Sequence, residues 1–575
     1  MFSDIKVVAI ENVFPEINAG KYPAKTEINE EFEVYADIFK DGHDEVAANL
    51  LFRKQGEKKW QKTPMIFLEN DRWVGKFLTQ SLGLHEYTIE AYPVENKDII
   101  STYDKILKVY ADRVEARFAA WYEMWPRSQG TIPNQSATFN DMENRLPEIK
   151  DMGFNVVYLT PIHPIGKSFR KGKNNSFPAK KGEPGSTYCI GNEHGGHKAV
   201  EPSLGTLEEF RHFVDLANKM DMEIALDIAL NCSFDHPYLK EHPEWFFKNP
   251  DGSIKYAENP PKKYQDVYPL NFFTTENREE LWKEMESMFL FWVEQGVKTF
   301  RIDNPHTKPF LFWEWVIKEV QKKHPDVLFL SEAFTRPKVM KLLAKSGFTQ
   351  SYTYFTWRNH KHELMEYLTE LTQSEVKTYM RGNLFTNTPD ILPEILQKGG
   401  RAAFKTRFIL AATLSSVYGI YNGFELIENK AIPGKEEYLN SEKYEYKVWD
   451  WNRPGHIKDL ITKVNRIRKE HKALQAYDNL KFHYADNEHI IFYGKFSKDL
   501  KDVVFVVVNL DPFNNQGSMI YMPIEELGIG HTEIYEVRDL ITNQIFTFRG
   551  KENYIELDPT REPAHILTIE RWLDR

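Results

Sequence analysis

The sequence predicts an α/β fold, a (β/α)8 TIM barrel flanked by N-terminal and C-terminal β-sandwich domains. Three observations predict it. Residues 1–112 read as short β runs punctuated by turns. From 113 to 474, apolar strand-like runs alternate with longer amphipathic stretches. Polar and charged residues collect at the C-terminal ends of several of those runs, where a barrel gathers its working side chains. An open doubly wound sheet is the competing arrangement. It is weakened because no Gly-x-Gly-x-x-Gly fingerprint follows the early strands.

In chain order, β runs at 32–39, 45–52, 73–78 and 85–92 are separated by turn signals such as Asp41-Gly42 and Asn70-Asp71, a spacing that suits a sandwich. In the central part, 155–160 (NVVYLT) reads as a buried strand. The stretch 206–220 reads as a helix whose apolar face is Leu207, Phe210, Phe213, Val214 and Ala217, opened by a Thr206–Glu209 capping box. A strand at 223–231 follows, then a helix at 278–295 stopped by Gly296. After these come a strand at 299–303, a helix after Pro309, a strand at 327–330 and a strand at 415–421. The polar segment 165–205 has little periodicity and reads as an inserted loop subdomain; a loop that long is usually functional. Beyond 474, runs at 503–508 and 555–557 return to β patterns and predict a second sandwich over 475–575.

The formal net charge is −10, which argues against nucleic acid as a main partner. Aromatic residues make up 14%; their faces are good platforms for sugar rings, but a large core by itself accounts for them more readily. Cys189 and Cys232 are the two cysteines. They cannot build a disulfide framework, and such usage fits a reducing compartment. The first twenty residues lack a basic region followed by an apolar run, so no signal peptide is expected. No run approaches ~20 apolar residues, so no membrane span is expected. A cytoplasmic protein is the expectation.

The chemistry is carried by carboxylates. In 299–304 (TFRIDN), Arg301 and Asp303 share one face of a strand while Phe300 and Ile302 share the other. An arginine beside an aspartate at a strand tip keeps the carboxylate ionised and oriented. Glu332 follows the apolar run VLFLS, Asp227 lies within IALDIALN, and Asp390 follows NLFTNTP. Four acids from four strand ends would converge on one face of a barrel, and paired carboxylates are what glycosidic chemistry needs. Other chemistries fit poorly. His194, His197, His306 and Glu193 do not match zinc spacing, and His-Glu-x-x-His, a P-loop and Gly-x-Ser-x-Gly are all absent. No metal or organic cofactor is required.

At TFRIDN, LFLSEAF and NTPDIL the chain resembles glycoside hydrolase family 13, the α-amylase superfamily. Two departures from a plain amylase stand out: Asn231-Cys232 replaces an Asn-His pair, and Pro389-Asp390 replaces His-Asp. Longer strings make the resemblance narrower. They are AAWYEMWPRSQG from Ala119, PIHPIGKSFRKGKNN from Pro161, IGNEHGGHKAV from Ile190, DHPYLKEHPEWF from Asp235 and AENPPKKYQD from Ala257. FRIDNPHTKPF from Phe300, SEAFTRP from Ser331, NTPDILPE from Asn387 and SEKYE from Ser441 complete the set. These are similar to the α-1,4-glucan:maltose-1-phosphate maltosyltransferases.

The resemblance implies transfer of maltosyl units from α-maltose 1-phosphate to the non-reducing ends of α-1,4-glucans, with release of phosphate. It implies Asp303 as nucleophile, Glu332 as acid/base, Asp390 as the acid that binds the distorted donor ring, and Arg301 as the cation that holds Asp303 charged. Lys171, Asn259, Lys262, Tyr264 and Asn304 match phosphate-side and donor-site positions, and Lys443 matches a donor-pocket lysine. Asn231 stands where the family has glutamine, which bears on donor fit. The resemblance also implies a homodimer, yet the span from Tyr92 to Arg117 has no room for the family's helical insertion at the subunit contact. The rival readings are an amylase-type hydrolase or glucan-to-glucan transferase on the same barrel, and a non-catalytic glucan-binding protein.

Overall fold

A computed structural model describes residues 7–259 and 262–572. Its centre is a parallel sheet of eight strands: β1 (Ala119–Met124), β2 (Val156–Leu159), β3 (Glu223–Ile228), β4 (Thr299–Ile302), β5 (Leu328–Ser331), β6 (Gln350–Ser351), β7 (Leu384–Phe385) and β8 (Val417–Tyr421). They pair in the order β6-β5-β4-β3-β2-β1-β8-β7. A parallel bridge between Ser351 and Gly382, just ahead of β7, closes the ring. The barrel expectation is correct, and the open sheet is excluded.

The strands are apolar on both faces because both are covered. Trp121, Tyr158, Ala225, Leu330, Tyr352, Phe385 and Val417 form one cluster inside the barrel. The alternating residues Tyr122, Val157, Leu226, Phe300 and Phe329 join the larger core under the helices. Phe385 stacks on Tyr352 with ring centres 4.6 Å apart. Gly419 on β8 faces that ring, and a Cβ there would lie 2.5 Å from Phe385. Side-chain volume therefore excludes any larger residue.

The expected helix at 206–220 is α1 (Leu207–Lys219), with Thr206 and Glu209 forming the reciprocal capping box. The expected helix at 278–295 is α2 (Arg278–Glu294), and Gly296 follows it with φ +95°. Strand β3 differs from the expectation: it stops at Ile228. The Asn231 N–H turns back to the Ala229 carbonyl at 2.9 Å, so Asn231–Cys232 pairs antiparallel with Tyr268–Pro269 instead.

In the N-terminal part, Val8–Phe14, Glu31–Lys40, Arg72–Leu78 and Ile66–Phe67 form one sheet. Val46–Lys54, Gly83–Pro93 and Leu107–Asp112 belong to the sheet packed against it. This sandwich docks at the starts of the barrel strands. Arg113 donates to Glu223 and Thr299 at 3.1 and 2.8 Å, and buried Arg381 pairs with Glu27 and Asp112 at 2.8 and 2.7 Å. Between Pro93 and β1, the described residues contain two short strands and one 3-10 turn, with no α-helix. In the C-terminal part, a six-stranded sheet containing Ile490–Phe496 and Val503–Asn509 faces the pair Gln516–Tyr521 and Glu552–Leu557. Phe492, Phe505, Ile520, Tyr535 and Leu567 fill the core between them. Among the described residues, no helix is long and apolar enough to cross a membrane.

Candidate active site

The strand tips converge on one guanidinium. Arg301 points into the barrel from β4 and is 4% exposed. Its Nη1 donates to both oxygens of Asp227 at 3.2 Å and to Asp303 Oδ1 at 2.9 Å. Its Nη2 lies 3.0 Å from Glu332 Oε1. The carboxylates of Asp303 and Glu332 are therefore held side by side across one planar cation, a geometry that lysine cannot supply. Sheet hydrogen bonds continue one residue past the strands. The Asp303 N–H donates to the Ile228 carbonyl at 3.0 Å, and the Glu332 N–H to the Ile302 carbonyl at 3.1 Å. Both acids thus sit on backbone that the barrel fixes.

Asn304 completes the pair. Its backbone is left-handed, with φ 42° and ψ 53°, a conformation that asparagine tolerates better than most residues. The turn aims its N–H at Glu332 Oε2, 3.1 Å away, and its Nδ2 at Asp303 Oδ2, 3.3 Å away.

One environment pushes the two acids apart. Burial raises the Asp303 carboxyl, but Arg301, Lys308 and Lys443 outweigh burial and its pKa falls below the usual carboxylate range. Burial lifts Glu332 to about 8, aided by the charge of Asp303 and opposed by Arg301. At neutral pH, Asp303 is an anion and Glu332 carries a proton, the division of labour that a nucleophile and a general acid need. Burial also raises Asp227 to about 6. This acid is the penultimate residue of β3 and pairs across the ladder with Arg301. It accepts hydrogen bonds from the Tyr158 and Tyr188 hydroxyls at 2.6 and 2.8 Å.

Asp390 forms no hydrogen bond or ion pair with the Arg301 cluster, though its charge bears on Glu332. It sits on a tight turn whose flanks, Thr388 and Ile391, exchange backbone hydrogen bonds. Lys443 Nζ donates to both of its oxygens at 2.8 and 3.0 Å. That ammonium also lies 5.3 Å from the centre of the Tyr188 ring. Tyr188 thus links the Asp390–Lys443 pair to Asp227 and onward to Arg301. Burial pushes the Lys443 ammonium down, yet Asp390, Tyr444 and Asp303 reverse the shift and its pKa rises. Glu442 anchors the segment by accepting from Asn422 and Trp449 at 3.0 and 2.8 Å.

Lys171 and Tyr264 meet apart from the acids. Lys171 Nζ donates to the Lys263 carbonyl at 2.9 Å and lies 5.7 Å from the Tyr264 ring centre. The side chains of Asn259 and Lys262 lie outside the described residues. Asn231 is half-buried in its two-residue strand.

Several neighbours were not singled out from the sequence. Tyr158 carried a signal, because a tyrosine inside an apolar strand must find a partner for its hydroxyl. Tyr188 carried none, lying in an aperiodic loop. Lys308 is buried, and burial lowers it to about 8 against the pull of Asp303 and Glu332. The turn Pro305–Thr307 brings it back beside them. Asp266 is buried, and burial raises its carboxyl against the opposing charges of Lys171 and Lys443.

Two clusters of described residues have ligand types suited to a metal: His242, Glu244 and Glu280 near the surface, and a buried group. His197, Cys232 and His236 are buried within 4.8 Å of one another. Their hydrogen bonds account for them differently. His197 Nε2 donates to the Ala229 carbonyl at 2.8 Å, and the Tyr238 N–H donates to His236 Nδ1 at 3.0 Å. His236 Nε2 must then carry its proton, which faces His197 Nδ1 at 3.2 Å. The arrangement is a neutral histidine pair.

A closed parallel barrel with paired acids at the tips of β4 and β5 defines a barrel protein with the carboxylate pair that glycosidic chemistry uses. The family model described as "Alpha amylase, catalytic domain" matches residues 124–392. Among solved structures, a maltogenic α-amylase from Thermotoga neapolitana superposes with a TM-score of 0.63 at 21% identity, covering 79% of this chain and 99% of that one. The α-amylase of Geobacillus thermoleovorans gives 0.62 at 17% identity, covering 79% and 98%. These likenesses concern the fold. Sequence comparison is more specific. The model "Alpha-1,4-glucan:maltose-1-phosphate maltosyltransferase, domain N/S" matches residues 6–116, and "GLGE, C-terminal" matches 482–569. The maltosyltransferase of Myxococcus xanthus is 46% identical, covering 98% of this chain and 97% of its own. That of Chlorobaculum tepidum is 44% identical, covering 99% and 97%. The chain belongs to the α-1,4-glucan:maltose-1-phosphate maltosyltransferase family. The Myxococcus alignment runs over 649 positions, more than the 575 residues here, so the relative carries residues that this chain lacks.

Proposed function

We propose that this enzyme transfers maltosyl units from α-maltose 1-phosphate to the non-reducing end of α-1,4-glucans by a double displacement. The observation that carries the mechanism is the shared guanidinium: Arg301 holds an ionised Asp303 beside a protonated Glu332. In the first step, the Asp303 carboxylate attacks the anomeric carbon and the bond to the phosphate oxygen breaks, with Glu332 giving its proton to that oxygen. A β-maltosyl ester of Asp303 and free phosphate result. In the second step, the Glu332 carboxylate takes the proton of the acceptor's 4-hydroxyl. The acceptor oxygen then displaces Asp303, and the two inversions leave an α-1,4 link.

Asp390, held by Lys443, is assigned to the donor ring's hydroxyls. Lys171, Asn259, Lys262, Tyr264 and Asn304 are assigned to the phosphate side, and Asn231 to donor fit. Buried, unpaired Cys189 and Cys232 support a cytoplasmic setting. A hydrolase would need the acids but not the lysines that accompany them. Reversing the reaction tests the reading. With inorganic phosphate and maltoheptaose, phosphorus NMR is expected to show a sugar phosphate while the glucan shortens by two units. Free maltose or redistributed glucan lengths without a phosphate ester would replace this reading with the hydrolase or glucan-transferase one.

A further inference from the structure

A second polar pocket, about 190 Å³ in volume, lies between the start of the 165–205 loop and the segment after Glu442. Arg127, His163, Arg170, Thr187, Glu201 and Tyr446 are among its walls. Arg127 is 3% exposed. It donates to the Glu442 carbonyl from Nε and Nη2 and to the Gly185 carbonyl from Nη1. Arg170 also reaches backbone carbonyls, those of Gly166, Glu183 and Ile165. Neither forms an ion pair with a carboxylate among the described residues. A guanidinium has five N–H donors, so each keeps some free for another acceptor. Burial without a counter-ion is costly for a charge, and here two like charges bear on one another. Burial, with the charge of Arg170, brings Arg127 down to about 10 against the opposing pull of Tyr446, Glu442 and Glu201.

The nearby acids are already engaged. Glu201 accepts from the Ile165 N–H at 3.0 Å and from Ser203. Asp235 accepts from the N–H groups of Lys167 and Ser168. Gly185 completes the cradle: with φ +75°, a Cβ there would come within 3.1 Å of the Arg170 side chain.

Among the residues lining the pocket, two buried side-chain atoms lack a partner: His163 Nε2 and Thr187 Oγ1. His163 Nδ1 donates to the Ala199 carbonyl at 3.2 Å, so Nε2 is an acceptor. The occupant must therefore accept from guanidinium groups and also donate to an imidazole nitrogen. A hydrogen-phosphate group does both.

We propose that this pocket is an anion site separate from the catalytic acids, taking a hydrogen-phosphate group. It shares two segments with the active site. Thr187 precedes Tyr188, which bonds Asp227. Glu442, whose carbonyl Arg127 holds, precedes Lys443, the partner of Asp390. An occupant would brace both. The inference does not rest on the transfer reaction.

Crystals of the full chain soaked with tungstate, a heavy analogue of phosphate, are expected to show it between Arg127 and Arg170. In calorimetric titration with inorganic phosphate, Arg170→Gln is expected to weaken that site about tenfold or more. Thr187→Val, which keeps the side-chain shape, is expected to weaken it several-fold with an unchanged Tm. Tungstate confined to the neighbourhood of Asp303, or ordered water alone in the pocket, would overturn the proposal. So would phosphate affinity unchanged in Thr187→Val and in folded Arg170→Gln.

Discussion

The strand tips and the loops around the pocket hold charge in different ways. At the tips of β4 and β5, one buried arginine serves three carboxylates on backbone pinned by the barrel's hydrogen-bond ladder. In the loops, Lys171 faces a backbone carbonyl and an aromatic ring, with the Asp266 carboxylate further off. The difference teaches where each task can reside. Charges that must keep a fixed mutual geometry through bond exchange belong on the barrel. Cations that greet an incoming anion belong on loops, where no close carboxylate competes for them. The Asp390–Lys443 pair is intermediate: a turn residue tied to a loop lysine, joined to the barrel through Tyr188.

This contrast predicts a gradient of mutational effects. Asp303→Ala should lower kcat by about 10⁴-fold while leaving glucan binding and Tm little changed; steady-state kinetics with unchanged turnover would remove the nucleophile assignment. Arg301→Met leaves three buried carboxylates without their cation. A stability loss of about 3–5 kcal/mol is expected in denaturant titration. Loss of the positive charge should also raise the Asp303 pKa, moving the acid limb of kcat/KM to higher pH. An unmoved acid limb would mean that Arg301 does not hold the nucleophile ionised.

The pH profile sharpens the comparison further. The proposed first step requires Asp303 ionised and Glu332 protonated. Activity should therefore fall on the acid side as Asp303 takes a proton, below the usual carboxylate range. It should fall on the alkaline side near pH 8 as Glu332 loses one. Glu332→Gln should abolish the alkaline limb of whatever activity remains. Lys443→Met frees Asp390 and should lower kcat/KM about 10²-fold, with both constants affected. The smallest effects belong to the loops. Lys171→Met and Tyr264→Phe should raise KM for maltose 1-phosphate about tenfold or less with kcat nearly constant. With α-maltosyl fluoride, a donor without phosphate, both variants should behave as wild type.

What could be read from the sequence follows the same division. Arg301, Asp303 and Glu332 were legible because a strand has a two-residue period and a barrel sends its strand tips to one face. Phe300 and Ile302 are buried on the outer side of β4, as that period requires. Asp227 was legible as an acid in an apolar run. Its place one residue short of the end of β3 was not, because β3 ends earlier than its hydrophobicity suggests. Asp390 read as another strand-end acid, but the turn carrying it leads to Lys443, far along the chain, and no local pattern encodes that pairing. Lys308 illustrates the same limit: a short turn after β4 folds it back toward the acids, and a turn's direction is set by tertiary packing. Loop positions such as Lys171 were reached through family strings rather than through periodicity, since loops have none.

In the proposed double displacement, Asp303 is the covalent partner of the transferred disaccharide while Glu332 handles the proton. Glu332→Ala incubated with α-maltosyl fluoride tests it most directly. Fluoride leaves without help from an acid, and the variant lacks the base for the second step, so the intermediate should accumulate. Peptide mass spectrometry should find one maltosyl unit on the fragment containing Asp303. An adduct on another residue, or no adduct with a product of inverted anomeric configuration, would contradict the double displacement.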